Sequence, residues 1–301
     1  MSHPFPGLEA LIPDHARLIR LWTGVTWGEG PVCLDNGSLL WSDIPGNRVM
    51  KWRPGGADDL GSVSVHLHPS HFHNGHTRDA GGHLYACSHG ERALLRSTDN
   101  GQSWHAVATH FEGKRLNSPN DVVVAPDGWV WFTDPPYGLI QPHEGYGGEQ
   151  EQPGCYVYRL NPDTGELQAK ITDILRPNGL AFSPDASLLY VTDTSKSHDP
   201  AGHHHIRVYP LSGSQISGLG RVFQIVDPGL PDGIRLDVHG NLWSSSASGV
   251  QVFAPDGVKL GEVPVPEVIG NLTFSHLEPR LYIAASSSLY CLEVGVRGNA
   301  Y

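Results

Sequence analysis

SPNDVVVAPDGWVWFTD, residues 118–134, lays two short apolar strands either side of a turn at Pro126–Gly128, yet it opens on Asn120 and Asp121. Both residue types are poor strand formers, and a turn would account for them if the arrangement occurred once. It recurs. EGPVCLDNGSLLWSD begins at Glu29, NGHTRDAGGHLYACS at Asn74, NGLAFSPDASLLYVTD at Asn178, DGIRLDVHGNLWSSS at Asp232 and NLTFSHLEPRLYIAA at Asn271. Each copy is a polar residue, usually followed by Gly or Asp, then a strand, a turn and a second strand rich in aromatic and β-branched residues. Self-similarity at about 40–50 residues, with several strands per unit, is the mark of a β-propeller. The copies beginning at Glu29, Asn74, Asn120, Asn178, Asp232 and Asn271 therefore predict an all-β, six-bladed propeller around a central channel.

Most copies continue into a third strand, as in NRVMKWRP, CYVYRLNP, HIRVYPL and VQVFAPDG. The last copy runs out at SLYCLEV, one strand short. ARLIRLW, residues 16–22, alternates well enough to supply that outer strand, which would leave no free edge at the seam. No stretch reads as an interdomain linker, so a single domain over residues 1–301 is expected, with 1–15 as an N-terminal extension. The longest interval follows Asn120, where residues 135–155, PPYGLIQPHEGYGGEQEQPGC, insert a loop rich in Gly, Pro and acids. A loop of this length reads either as a lid over one propeller face or as plain surface.

Composition bounds the function. Gly 36 and Pro 24 with only 17% charged residues suit many short strands and tight turns. A net charge of -11 argues against a nucleic-acid backbone or an anionic membrane as partner. No apolar run reaches membrane-spanning length, and the first residues lack the basic stretch and apolar block of a signal peptide. Cys33, Cys87, Cys155 and Cys291 are far apart and read as free thiols of a reducing compartment, so a cytoplasmic location is expected.

A propeller brings the equivalent position of every blade to one radius and height. If each polar residue begins its innermost strand, Glu29, Asn74, Asn120, Asn178, Asp232 and Asn271 converge on the channel. NG and DG steps also mark turns without any chemistry, but a turn signal does not explain Glu29. Two carboxylates among amides, with no His or Cys in the series, make an all-oxygen donor set suited to a hard divalent cation.

WGEGPVCLDNGSLLWSDI, NGHTRDAGGHLYACSHGERAL, SPNDVVVAPDGWVWFTDPPYG, RPNGLAFSPDASLLYVTDT and LPDGIRLDVHGNLWSSSASGVQVFAPDG, in this order, resemble the gluconolactonase, or senescence-marker-protein, family of six-bladed propellers. FTDPPYG and SHGERAL resemble its microbial gluconolactonase branch. The resemblance implies one divalent cation held by Glu29, Asn178 and Asp232, with Asn120 either a fourth ligand or a substrate contact. Ca2+ is the first expectation, and Mg2+, Mn2+ and Zn2+ are compatible with such donors. The implied activity is opening of a sugar lactone of the glucono-1,5-lactone type to the aldonic acid. The cation would polarise the carbonyl, with Asp232 as base or metal-bound water as nucleophile. Asn74, His89, Tyr137 and Asn271 are candidate partners of sugar hydroxyls. Ser88 before the HG step, and His76 and Arg78 after NG, depart from the family pattern and bear on substrate identity.

Other readings remain at this level. The related diisopropyl fluorophosphatase uses one Glu, two Asn and one Asp, so an organophosphate or other ester is an alternative substrate class. A non-catalytic propeller with a structural cation is a third reading. HLHPSHFHNGH, with His66, His68, His71, His73 and His76, invites a zinc site but lacks HExxH and any acid. Neither a GxSxG elbow nor a nucleotide-binding glycine motif is present.

Overall fold

The computed structural model describes residues 7–56 and 59–300, and strands dominate them. Six antiparallel sheets of four or five strands follow one another along the chain, with a two-stranded ribbon, His110–Phe111 against Lys114–Arg115, between the second and third. Their first strands are Gly28–Cys33, His73–Arg78, Val122–Val124, Pro177–Phe182, Ile234–Leu236 and Ile269–Phe274. Each packs beside the next and the sixth returns to the first, so blades 1–6 close into a propeller with these strands innermost. Ile19–Thr23 pairs antiparallel with Ser288–Glu293 as the outer strand of blade 6, the closure expected of residues 16–22. Glu267 pins that seam. Its carboxylate accepts the Ser287 N–H and hydroxyl, both at 2.7 Å, and the Tyr290 hydroxyl at 2.6 Å.

The strands read as near-continuous apolar runs because each blade is sandwiched between two others. Every residue of Val130–Asp134 is buried. Val122 and Phe132 pack with Tyr85 and Leu94 of blade 2, whereas Val123 and Trp131 pack with Leu180 and Leu189 of blade 4. Alternation along a strand thus sends side chains to two apolar interfaces rather than to core and water. Aromatic pairs cross these interfaces edge-to-face, Trp131 on Phe182 at 5.8 Å and Trp243 on Phe274 at 5.4 Å.

The NG and DG steps that open the copies at Asn74, Asn178 and Asp232 lie in or just before innermost strands, not in turns. A Cβ at Gly179 would stand 2.2 Å from the Asp232 carbonyl oxygen, and one at Gly233 would stand 2.1 Å from Asn271 Oδ1. Neighbouring strands approach so closely that only glycine fits, and the approach is bonded: Gly179 N–H to Asp232 O at 3.2 Å, Gly233 N–H to Gly270 O at 2.8 Å.

The SD and TD pairs ending several second strands hold the same frame. Ser42, Thr133 and Thr192 donate to the carbonyls of Asn74, Asn178 and Asp232 in the next blade, at 2.8, 2.7 and 3.2 Å. The aspartates beside them turn back on their own blades: Asp43 accepts Thr26 N–H, Asp134 accepts Asn117 N–H and Asp193 accepts Arg176 N–H. Each pair therefore fixes a channel residue on one side and the chain entering its own blade on the other.

Of the N-terminal extension, residues 1–6 lie outside the described residues. Leu8–Leu11 forms one helical turn whose Leu8 and Leu11 pack against the cluster shared by blades 5 and 6. All four cysteines are free, three of them buried and Cys155 half-buried. Among the described residues no helix is long and apolar enough to cross a membrane.

Candidate active site

The innermost strands bring the six polar residues to the channel. Glu29, Asn74, Asn120, Asn178 and Asn271 are buried; Asp232 is half-buried, deep in the channel yet reachable by water. They are joined by hydrogen bonds. Asn178 donates to Asp232, and Asn271 donates to Glu29. Asn74 and Asn120 meet on His89, whose Nε2 lies 3.1 Å from Asn74 Nδ2 and 3.4 Å from Asn120 Nδ2.

Three further residues enter the channel that the sequence reading passed over. Asp121 stands where four of the other five copies carry Gly, and its carboxylate accepts Asn271 Nδ2 and Arg235 Nη1, each at 3.4 Å. Arg235 arrives two positions after Gly233 on the innermost strand of blade 5 and makes the one ion pair of Asp121 among the described residues. The signals were present: the break in the Gly pattern marks Asp121, and a charge in an otherwise apolar IRL strand marks Arg235. Glu144 comes from the loop after blade 3's second strand, and no repeat position announces it.

Burial and mutual repulsion dominate the electrostatics. Removal from water, then the charge of Asp121, pushes the Glu29 carboxyl up to about 8. Asp232 is raised well above the usual carboxylate range by burial and then by Glu29, Asp121 and Glu144, against the lowering effect of the Asn178 hydrogen bond. Burial also raises Asp121, with Arg235 opposing it. Neither Glu29 nor Asp232 has a cationic side-chain partner among the described residues.

The residue 135–155 segment folds across this end of the channel. Tyr137–Ile140 makes one helical turn, and the Tyr137 hydroxyl is taken by Thr194 Oγ1. Beyond it the Glu144 carbonyl accepts His89 Nδ1–H at 3.0 Å. Tyr146 Oη lies 2.9 Å from His71 Nδ1, with its ring edge-on to Phe72 at 5.1 Å. The Glu144 carboxyl is raised by burial and near enough to add its charge to Glu29 and Asp232.

The histidine run of blades 1 and 2 does not gather into a cage. His66 bonds Gly101 O, His68 bonds Asn47 O and His71 meets Tyr146. His73 and His76 bond each other at 3.3 Å, and His76 Nδ1 bonds Gly30 O at 2.9 Å. Among the described residues no group of three or more His, Cys, Asp or Glu is poised as a metal cage, so the channel set depends on its asparagine oxygens.

Residues 27–287 match the SMP-30/Gluconolactonase/LRE-like region. The chain belongs to this family. Among its SMP-30/gluconolactonase relatives, a gluconolactonase of Zymomonas mobilis is 34% identical over 94% of this chain and 83% of its own length. A 6-deoxy-6-sulfogluconolactonase of Pseudomonas putida is 30% identical over 76% of this chain and 71% of its own. The solved structure of a gluconolactonase from Xanthomonas campestris superposes with a TM-score of 0.87, at 41% identity over 95% of this chain and 92% of that one.

The donor chemistry of this SMP-30/gluconolactonase member fits a divalent cation. Four carboxyl groups, those of Glu29, Asp121, Asp232 and Glu144, and one guanidinium, that of Arg235, act on this end of the channel, so acids outnumber bases by three. Asn74 Oδ1 is buried with no hydrogen-bond partner, an acceptor without a donor. Carboxylates without a cationic partner carry a cost that an ion coordinated by oxygen removes, and the buried Asn74 acceptor carries one that a bound hydroxyl removes. Of the sequence-derived substrate candidates, Asn74 keeps that open oxygen, whereas His89, Tyr137 and Asn271 have protein partners.

Proposed function

We propose that this lactone hydrolase opens a sugar lactone of the glucono-1,5-lactone type to the aldonic acid. Glu29, Asn120, Asn178 and Asp232 would hold one divalent cation, Ca2+ before Mg2+, Mn2+ or Zn2+. The observation carrying the reading is the pair of buried Glu29 and half-buried Asp232, near enough to repel each other, without a cationic partner and hydrogen-bonded by asparagine amides. A bound cation supplies polarisation of the lactone carbonyl and charge opposite the oxyanion. The protein does the rest. Asp232, held by Asn178 and still reached by water, takes the proton of the attacking water at its carboxylate. The acyl C–O bond of the ring then breaks, Asp232 returns that proton to the departing ring oxygen, which leaves as a hydroxyl, and the new carboxylic acid releases a proton to water.

Binding and exclusion of water fall to the rim. Asn74 Oδ1 is open to a substrate hydroxyl, and the Glu144 carboxylate overhangs the site as a second acceptor. The segment 135–155 acts as a lid, anchored by Tyr146 and Glu144. Rings of acceptors suit a neutral polyol better than an anionic substrate, which the acidic channel repels.

The test is acid release from glucono-1,5-lactone by the wild type and Asp232→Asn, each stripped of cations and then given single cations. Turnover that needs a cation and drops by about 100-fold or more in the variant is expected. A folded, cation-loaded wild type that does not exceed the spontaneous rate would overturn the assignment.

A further inference from the structure

His89 makes three hydrogen bonds, and their geometry leaves one arrangement of protons. Glu144 O is a carbonyl and only accepts, so Nδ1 carries the hydrogen and donates at 3.0 Å. On its other side the ring meets two amide nitrogens, Asn74 Nδ2 and Asn120 Nδ2, and an amide nitrogen only donates. Nε2 is therefore a lone pair. It faces Asn74 Nδ2 at 3.1 Å and Asn120 Nδ2 at 3.4 Å and accepts from both. An amide whose nitrogen is drawn to one side turns its oxygen to the other. Asn74 Oδ1 is indeed buried without a hydrogen-bond partner.

We propose that His89 is a positioning residue, clamped by the backbone of the lid segment at Glu144, that holds the Asn74 and Asn120 amides with their oxygens toward the channel. The arrangement couples two things that the sequence keeps apart. The lid delivers the carbonyl that selects the His89 tautomer, and the tautomer selects which end of each amide faces a cation or a substrate. Were the lid to lift, the Nδ1 hydrogen would lose its acceptor. The ring could then switch tautomer, presenting an N–H to both amides and inviting them to flip nitrogen-inward, where they repel a cation. This deepens the reading of the channel as a cation site and rests on it. It assigns His89 to the orientation of other residues rather than to contact with substrate.

The experiment uses the full chain with His89→Leu, which removes donor and acceptor, and His89→Gln, whose amide can donate to Glu144 O and accept from an asparagine at once. Cation affinity is measured by calorimetric titration of the stripped proteins with Ca2+ and Mn2+. Hydrogen exchange is followed at residues 141–147. Outer partners of metal ligands change affinity by about 10–100-fold, so His89→Leu should bind at least 10-fold more weakly and exchange faster in the lid, with His89→Gln recovering most of both. A folded His89→Leu that binds within about twofold of wild type overturns the proposal. If the leucine variant does not fold, His89→Gln decides alone: affinity near wild type supports the clamp, and a loss as large as 10-fold with the lid still protected overturns it. A wild type that binds neither cation brings down the cation-site reading itself, a failure seen before any variant is compared.

Discussion

Substituting Gly179 by alanine tests the claim that the NG and DG steps opening the repeats are points of close strand approach. A Cβ there would stand 2.2 Å from the Asp232 carbonyl oxygen and 3.1 Å from Gly233 Cα. Carbon and oxygen rest at about 3.3 Å or more, so the innermost strands of blades 4 and 5 must part by about 1 Å. The Gly179 N–H to Asp232 O bond, at 3.2 Å, is then stretched past hydrogen-bonding range. Its loss costs about 1 kcal/mol and the overpacking about 1–3 kcal/mol. For chains of this size each kcal/mol moves the melting point by about 2–4 °C, so a fall of about 4–16 °C is expected in thermal unfolding. Gly56→Ala, with no atom within 4 Å of the added carbon, is the control and should stay within about 0.5 kcal/mol of wild type. Because the contact is with the backbone of Asp232, the Gly179 variant should also lose lactone turnover while folded. A Gly179→Ala protein that melts and turns over like the wild type would refute the close-approach argument and return NG to an ordinary turn signal.

Two more outcomes follow from charges that the fold holds in place. Arg235→Met strips Asp121 of its ion-pair partner, so the cation-free protein should lose about 3 kcal/mol in chemical denaturation while its cation affinity rises; unchanged stability would show that Arg235 is not the counter-charge. Burial alone would raise Glu267, but hydrogen bonds from Ser288, Tyr290 and Ser287 outweigh it and hold the carboxyl down to about 2. Its contribution is therefore complete above the unfolded value near 4.5 and is lost as pH falls toward 2. Discounted for partial exposure, it amounts to about 1–2 kcal/mol. Glu267→Gln should accordingly melt lower at pH 7 and converge with the wild type at low pH; parallel curves would show the seam does not depend on that charge.

Much was legible before folding. The repeated polar residue, strand, turn and strand declare a propeller because each blade must meet the same two neighbours, and that demand writes one pattern six times. The same regularity made Glu29, Asn74, Asn120, Asn178, Asp232 and Asn271 a set, since equivalent positions in a ring share one radius. Asp121 and Arg235 carried weaker marks, visible only as breaks in a pattern. Why glycine follows Asn178 and Asp232 was not legible, because a dipeptide reads alike whether it bends the chain or admits a neighbouring strand. Glu144 left no mark at all. It lies in a loop outside the repeat, and its approach to His89, fifty-five residues away in sequence, comes only from a segment folded back across the channel mouth. Periodicity recorded the frame and the donors. The charge imbalance, the orientation of the amides and the tautomer of His89 depend on distances between blades, and only the closed ring sets those.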